Sequence, residues 1–205
     1  MLQEVKSSRQ VDRRPQILDA AERCFARNGF HRTTMQDVAR EAGMVPGNLY
    51  RYFPSKSAII AGLVERDRAE IAADFATLSK AQNLISAFEE LGRKHFIDQP
   101  RTKAVIALHI WSEAALDPEI AAQVATVQAE VRHGIRDVLL RAREKAEIHA
   151  DVDIEALTQL ILTLSDGMIR RRAIDADFHS HGEIENSLCI IGAVLSGSVR
   201  FSHKC

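Results

Sequence analysis

The chain has 205 residues, of which 46% are hydrophobic and 27% charged, enough apolar material for one or two folded domains and too much for wholesale disorder. Its net charge of -1 conceals an asymmetry, since residues 1–56 carry ten Lys or Arg against six Asp or Glu, whereas residues 57–205 carry 17 against 22. A polyanionic partner is therefore expected at the N-terminal part of the chain.

The apolar runs and the cysteines of the chain indicate its cellular compartment. The longest apolar runs, such as residues 188–195, are shorter than the ~18 residues of a membrane-spanning helix, and residues 1–15 are polar, without the apolar core of a signal peptide. The cysteines, Cys24, Cys189 and Cys205, are odd in number and scattered, which fits a reducing compartment. The sequence predicts a cytoplasmic protein with no membrane partner and no disulfide framework.

The N-terminal part predicts a helix followed by two shorter ones. Apolar residues at i, i+3, i+4, i+7 and i+8 mark the first helix: Ile17, Ala20, Ala21, Cys24 and Phe25. Thr34 is the expected N-cap of the second helix, whose apolar face carries Met35, Val38, Ala39 and Ala42. Gly43 then ends that helix.

A third, short helix follows the glycine. Val45, Leu49 and Phe53 recur every four residues and are expected on one apolar face. That periodicity leaves other residues on the opposite side and the flanks: Gly47, Asn48, Tyr50 and Arg51. The arrangement is a helix-turn-helix pattern, although an ordinary pair of antiparallel helices can also turn at a glycine.

The outward residues of the third helix have the chemistry of DNA recognition. An arginine can pair bidentately with guanine, an asparagine with adenine, and a tyrosine can donate to a phosphate. Downstream, Pro54 and Ser55 are expected to stop one helix and cap the next, which places Lys56 in a first turn, where the helix dipole disfavours a cation. A DNA phosphate at this helix N-terminus would remove the conflict.

The order of these motifs resembles the N-terminal DNA-binding domain of the TetR family of bacterial transcriptional regulators, over roughly residues 13–64. The similar features are the ILDAA helix, the aromatic residue after N-G, the T-T start of the second helix, A-G at the turn, G-N-L-Y-x-Y-F, and S-K at the next helix start. The resemblance implies DNA contacts by Thr34, Gly47, Asn48, Tyr50, Arg51, Tyr52 and Lys56. Val45 and Pro46 depart from the family's usual Ser-Lys pair.

Beyond residue 56 the chain reads as helix throughout, so we predict an all-α fold of about nine helices. The fourth is expected from Ser55 to Leu78, the fifth through Leu84, Phe88, Leu91 and His95, and the sixth through Val105, Leu108, Trp111 and Ala115. The seventh follows through Ile120, Val124, Val127, Val131, Ile135 and Val138, and the eighth from the Asp153 cap through Leu157, Leu160, Ile161, Leu164 and Met168. A loop at residues 175–182 precedes the ninth, through Ile184, Leu188, Ile191, Leu195 and Val199.

The last two helices are apolar over a wide face. In the ninth, Gly192 and Ser196 lie four residues apart and would allow close helix approach. Two interpretations are open: these helices close the protomer core, or they form a dimer interface. Resemblance to the TetR family favours a homodimer, with an interface formed by Leu188, Ile191, Gly192 and Leu195.

A small-molecule site is expected in residues 57–205, on helices that line the effector cavity of TetR-like folds. The candidate contacts are His95, His109, Trp111, Asp166 and Met168. Each has a simpler interpretation as a packing or solvent-facing residue. Arg170, Arg171 and Arg172 are interpreted as an exposed helix end rather than an anion site, because consecutive helical residues point in different directions.

Enzyme chemistry finds no support in the sequence, which has no phosphate-binding glycine loop, zinc-protease motif or nucleophile elbow. His179 and His181 are read as surface residues of a loop near Glu183, so neither a metal nor another cofactor is expected. The predicted protein is a regulator, most simply a repressor, that binds a palindromic operator through residues 1–56 and a small effector through residues 57–205. A ligand-independent regulator and a helical protein-interaction adaptor are the alternatives.

Overall fold

The computed structural model describes residues 12–175 and 177–201, and this part of the chain is all-α, as predicted. The predicted polar N-terminal arm falls mostly on residues 1–11, which lie outside the described part, as does Cys205. The helices within it are α1 (Arg14–Asn28), α2 (Met35–Glu41), α3 (Pro46–Tyr50), α4 (Lys56–Leu78), α5 (Leu84–Arg93), α6 (Arg101–Ala114), α7 (Pro118–Glu144), α8 (Ile154–Ile174) and α9 (Ser180–Leu195). None of them combines the length and apolar character that a membrane span requires.

The chain divides between Ile59 and Ile60 into two compact units. The division falls within the first turns of α4, so this helix begins in the N-terminal unit and continues in the C-terminal one.

The N-terminal unit is built on the predicted stripe of α1, whose five apolar residues are all buried. Thr33 is fully buried beneath them, and its hydroxyl donates to the carbonyls of Cys24 and Gly29. At the start of α2, the Thr34 hydroxyl accepts from the Asp37 N–H while the Asp37 carboxylate accepts from the Thr34 N–H. This capping box satisfies two N–H groups that a helix start leaves without partners.

In the turn between α2 and α3, Gly43 has the predicted role, but Val45 does not lie where the sequence predicted. Gly43 has φ +65°, a backbone conformation that favours glycine. Val45 was predicted to face the core with Leu49 and Phe53, but it is 63% exposed while those two are buried. The reason is that Val45 is the extended N-cap of α3, so the helical spacing begins only at Pro46, at the first helical position.

The core of the C-terminal unit lies where α7, α8 and α9 meet, with Leu139, Leu157 and Val194 almost completely buried. Helix α8 begins at the predicted cap, since the Asp153 carboxylate accepts from the Ala156 N–H. Helix α7 begins in the same way, with Asp117 as its cap.

Helix α5 differs from the prediction at its C-terminal end. The predicted stripe ran without interruption to His95, whereas the structure has a π-helical turn at Lys94–Asp98. A π turn adds a residue to the helical repeat. It brings Lys94 and His95 together against Asp74 of α4, with Nζ and Nε2 at 2.5 and 2.7 Å from the carboxylate oxygens.

Helix α6 buries a different face from the predicted one. The predicted residues Val105, Leu108 and Trp111 are only half-buried and Ala115 is exposed. The buried residues of α6 are Ala104, Ile106, Ile110 and Glu113. Because α6 packs against both α7 and α8, it buries residues on more than one side, which a single periodic stripe does not describe.

Helix α9 begins earlier and ends earlier than predicted. The expected loop included residues 180–182, but α9 begins at Ser180, so His181 belongs to its first turn. At the other end the helix stops at Leu195, and Gly197, with φ +75°, turns the chain. Val199, predicted to continue the apolar face, is therefore outside the helix and exposed.

Two contacts join α4 to α7 in the C-terminal unit. The Arg68 guanidinium donates through Nε and Nη2 to the two Glu130 oxygens, at 2.7 and 2.5 Å, and these bonds raise the pKa of Arg68. Nearby, a Cβ built on Gly134 would lie 2.6 Å from the Phe75 ring. Glycine at this position is what allows the ring to pack directly on the backbone of α7.

Candidate nucleic-acid interface and ligand cavity

The α3 region presents three polar side chains to solvent. Asn48, Tyr50 and Arg51 are exposed, Tyr50 by 50%. In the described part of the chain, none of these three side chains has a hydrogen-bond or ion-pair partner. Gly47 is also exposed, and a Cβ there would meet nothing within 4 Å. The side chains predicted to contact bases are thus free to bind DNA without breaking a bond to another described residue.

Thr34 and Tyr52 differ from this set. The Thr34 hydroxyl donates to Asp37 Oδ2 at 2.6 Å, and this bond is the main reason that the pKa of Asp37 is lowered. Thr34 is exposed but already serves its own helix start, whereas Tyr52 is half-buried. Their DNA contacts remain predictions.

Lys56 has internal partners, so the expected conflict with the helix dipole is resolved within the chain. Its ammonium donates to the carbonyls of Phe30 and His31, at 2.8 and 3.3 Å, and lies 4.5 Å from the centre of the Phe30 ring. A phosphate is therefore not needed to resolve the conflict, and the DNA contact of Lys56 remains a prediction. Ser55 does cap α4 as predicted, since its Oγ accepts from the Ala58 N–H.

We expect Lys56→Met to destabilise the N-terminal unit, because two carbonyls would lose a charged donor. The loss should be about 1–2 kcal/mol, given the usual strength of hydrogen bonds to charged groups and the partial exposure of this site. Faster amide exchange in α1 and α2 would report it. Arg32→Met, which removes the same charge from an exposed position, is the control, and equal exchange in the two variants would contradict a structural role for Lys56.

The C-terminal unit contains a cavity of about 780 Å³ lined by residues of α4 to α9. This volume lies within the ~300–1,000 Å³ range of small-molecule sites. Its wall is largely apolar, with four aromatic residues: Phe75, Phe88, Phe96 and Trp111. Of the predicted effector contacts, His95, Trp111, Asp166 and Met168 line the cavity.

His109 was also predicted there, and the structure contradicts this. The cavity-facing residues of α6 include Ala107, Ile110 and Trp111, which follow the i, i+3, i+4 spacing of one helix face. His109 lies between them in sequence and is turned to another side, because each helical residue rotates by about 100°.

One wall of the cavity carries charges that sequence reasoning did not find. The Lys94 ammonium lies 3.4 Å from Glu70 and 2.5 Å from Asp74, and Gln99 donates to Glu70 at 3.0 Å. Glu70, Asp74 and His95 could in principle hold a metal ion, since their ligand atoms lie within 4.8 Å of one another. Lys94 contacts both carboxylates and His95 contacts Asp74, so we assign the cluster to ion pairing. The i, i+4 spacing of Glu70 and Asp74 was the available sequence signal.

The three consecutive arginines at the end of α8 do not share one environment. Arg170 and Arg171 are exposed as predicted, and Arg171 pairs with Glu183. Arg172 is half-buried and lines the cavity, where desolvation lowers the pKa of its guanidinium. The interpretation of Arg172 as part of an exposed helix end was therefore wrong.

The predicted dimer residues lie mostly inside the protomer. Ile191 and Leu195 are each 5% exposed and belong to the core, while Leu188 packs against it. Helix α9 is apolar on several sides, and these predicted residues lie on the side that packs into the protomer. Ile190, the next residue, is 48% exposed, and a Cβ on Gly192 would meet no atom within 4 Å. The exposed side of α9 is therefore the one carrying Ile190.

Comparison with known proteins gives two family matches. Residues 17–63 match the model for bacterial regulatory proteins of the tetR family, and residues 89–188 match the C-terminal domain of BetI-type transcriptional repressors. The two regions correspond to the helix-turn-helix and to much of the cavity wall.

Similar full-length proteins support the same assignment. The transcriptional regulator UidR of Escherichia coli K12 is 24% identical over 196 residues, covering 90% of this chain and 94% of UidR. The structure of Salmonella enterica GusR superposes with a TM-score of 0.76 and 26% identity, covering 93% of this chain and 98% of GusR. The fold also matches Bacillus subtilis FadR in complex with stearoyl-CoA, with a TM-score of 0.74, 20% identity and coverage of 89% and 98%. The chain belongs to the TetR family of bacterial transcriptional regulators.

Proposed function

We propose that this helix-turn-helix regulator is a repressor that binds a palindromic operator as a homodimer and leaves it when a small molecule fills the cavity. The observation that carries the proposal is the 780 Å³, mostly apolar cavity in the C-terminal unit. A domain that served dimerisation alone would have no need of such a space. The FadR relative was solved with stearoyl-CoA, which supports ligand binding in this fold.

The proposed division of labour assigns DNA binding to residues 1–56 and effector binding and dimerisation to residues 57–205. Asn48, Tyr50 and Arg51 would contact the operator, since they are exposed and uncommitted. Thr34, Gly47, Tyr52 and Lys56 would lie close to the backbone of the DNA. For Lys56, this role would be added to the internal bonds it already makes.

Helix α4 would carry the signal. It begins in the N-terminal unit at Lys56, and between Val64 and Phe75 it lines the cavity. A ligand that binds better to a shifted position of α4 would favour that position, and the two helix-turn-helix units of a dimer would then lose the operator spacing. Such a shift requires that the Arg68–Glu130 ion pair and the Phe75–Gly134 contact adjust.

Dimerisation would use the exposed side of α9 that carries Ile190. Regulation from the cytoplasm, without a catalytic activity, is the simplest role for such a protein. A ligand-independent regulator with the same dimer is the alternative, and it predicts that no compound alters operator binding.

Footprinting on DNA that flanks the protein's own gene tests the proposed DNA-binding mode. We expect protection of a palindrome whose half-sites lie about one helical turn, ~34 Å, or a multiple of it apart. Protection without two-fold symmetry, or equal affinity for every fragment, would contradict binding as a symmetric dimer.

A further inference from the structure

Arg172 occupies an unusual position among the residues that line the cavity. It lies in the last turns of α8 and is half-buried. Its Nη1 donates to the carbonyl oxygen of His95 at 3.0 Å, and its Nη2 donates to that of Gln99. These carbonyls belong to the π turn and the residue that follows it. The guanidinium is thus held in place against the cavity wall by the backbone of a neighbouring element.

The other half-buried charged side chains of the cavity wall have partners of opposite charge. Asp67 lies 3.1 Å from Lys103, and Asp74 lies 2.5 Å from Lys94 and 2.7 Å from His95. Glu70 shares the Lys94 ammonium at 3.4 Å. Within the described residues, no carboxylate pairs with Arg172. Its positive charge at the cavity is therefore left without a counter-charge.

The carbonyl bonds do not complete the hydrogen bonding of Arg172. A guanidinium has five N–H donors, and two bonds to carbonyls leave others available. A carbonyl carries only a partial negative charge, so it orients the guanidinium without neutralising it. Burial of this group lowers its pKa, because a half-buried guanidinium is less well hydrated than an exposed one. An anion from a ligand would supply both the charge and the acceptors.

Asp166 is the opposing candidate, because its carboxylate also lines the cavity without a partner in the described residues. Desolvation raises its pKa, yet the residue as a whole is exposed. It lies on an exposed stripe of α8 with Gln159, Thr163 and Arg170, and this stripe borders the cavity at Gln159 and Asp166. Because Asp166 is exposed and Arg172 is half-buried, a cationic ligand has less to gain at Asp166.

We infer that the effector is an amphipathic anion, whose carboxylate, sulfonate or phosphate binds Arg172 while its apolar part packs on the aromatic wall that includes Trp111. This inference rests on the proposed effector cavity and adds the chemical class of the ligand. The positive group comes from the end of α8, and its orientation comes from the π turn.

Two fluorescent probes with one ring system test the inference: 8-anilinonaphthalene-1-sulfonate and the uncharged N-phenyl-1-naphthylamine. Trp111 is the only tryptophan of the chain and lines the cavity, so quenching of its emission by either probe reports binding there. We expect the sulfonate to bind roughly 10-fold to 100-fold more tightly than the uncharged probe, as one charged hydrogen-bonded contact provides. Decanoate should displace it at lower concentration than decanol or decylammonium.

Variants locate the charge that is responsible. Arg172→Gln should reduce sulfonate affinity to the level of the uncharged probe and leave the uncharged probe unaffected, and Arg172→Lys should restore part of the preference. Arg170→Gln removes the same charge from an exposed position of α8 and should change neither affinity. An unchanged affinity of the uncharged probe also shows that the cavity of Arg172→Gln is intact.

The possible results separate the inference from the proposed function. Equal affinity of the two probes for the wild-type chain would overturn the anion assignment and leave the effector cavity standing. Displacement of the sulfonate by decylammonium at lower concentration than by decanoate would overturn the anion assignment in favour of a cation bound by Asp166. Failure of both probes to quench Trp111 would overturn the effector cavity and the anion assignment together.

Discussion

Ile190→Asp should separate the proposed dimer into folded monomers, whereas Ile191→Asp should unfold the C-terminal unit. Ile190 is 48% exposed on α9, so the carboxylate of an aspartate at this position would be hydrated in the monomer and would lose that hydration only in a dimer. Ile191 is 5% exposed in the protomer core, where a carboxylate has no partner among its apolar neighbours. An uncompensated buried charge costs about 3–5 kcal/mol, a large part of the stability of a typical domain.

Sedimentation and circular dichroism distinguish the two effects. The expected pattern is a helical monomer for Ile190→Asp and a loss of helical signal for Ile191→Asp, with operator affinity falling in both. Glu185→Gln, at an exposed position of the same helix, serves as a control that should remain a folded dimer. If Ile191→Asp remained folded and became monomeric while Ile190→Asp stayed dimeric, the interface would lie on the face that the sequence first indicated.

Arg51→Ala should reduce both the affinity for the operator and the preference for it over random DNA. Arg51 is exposed beside α3 and has no partner in the described part of the chain, so it can pair bidentately with a base without breaking an internal bond. The loss on the operator should be about 1–3 kcal/mol, or roughly 5-fold to 150-fold in affinity. Titrations at one fixed salt concentration measure it, because phosphate contacts depend strongly on salt.

A charge-matched variant shows whether Arg51 contacts a base or a phosphate. Arg23→Ala also removes one positive charge from the N-terminal unit, but Arg23 lies on α1 and pairs with Glu41 at 2.7 Å. This variant should weaken operator and random DNA by similar, smaller factors. If Arg51→Ala lost affinity equally on both DNAs, Arg51 would be a phosphate contact rather than a base contact.

The helices were predictable because their ends carry local signals. Thr34, Asp117 and Asp153 cap three of them through bonds to nearby N–H groups, and such bonds depend on only a few neighbouring residues. Four of the five predicted effector contacts, His95, Trp111, Asp166 and Met168, line the cavity, and the resemblance to the TetR family had indicated the helices that carry them.

The predictions that failed concern features that depend on contacts between residues distant in sequence. The π turn at Lys94–Asp98 is paired with Asp74 of α4, and periodicity within α5 carries no trace of that partner. In α9, Ile190 and Ile191 are equally apolar, so the sequence cannot tell the core side from the open one. Arg172 reads as one of three surface arginines until the carbonyls of His95 and Gln99 are seen to hold it.

The most direct test of the proposed mechanism is the operator affinity of the wild-type protein, measured with and without the metabolite that most strongly quenches Trp111. We predict that saturating ligand weakens operator binding about 5-fold to 150-fold, and that saturating operator weakens ligand binding by the same factor, as thermodynamic linkage requires. Trp111→Ala, which changes the cavity wall, should alter ligand affinity while leaving ligand-free operator affinity nearly unchanged. Unchanged operator affinity with the cavity saturated by ligand would contradict the proposed mechanism and support the ligand-independent regulator.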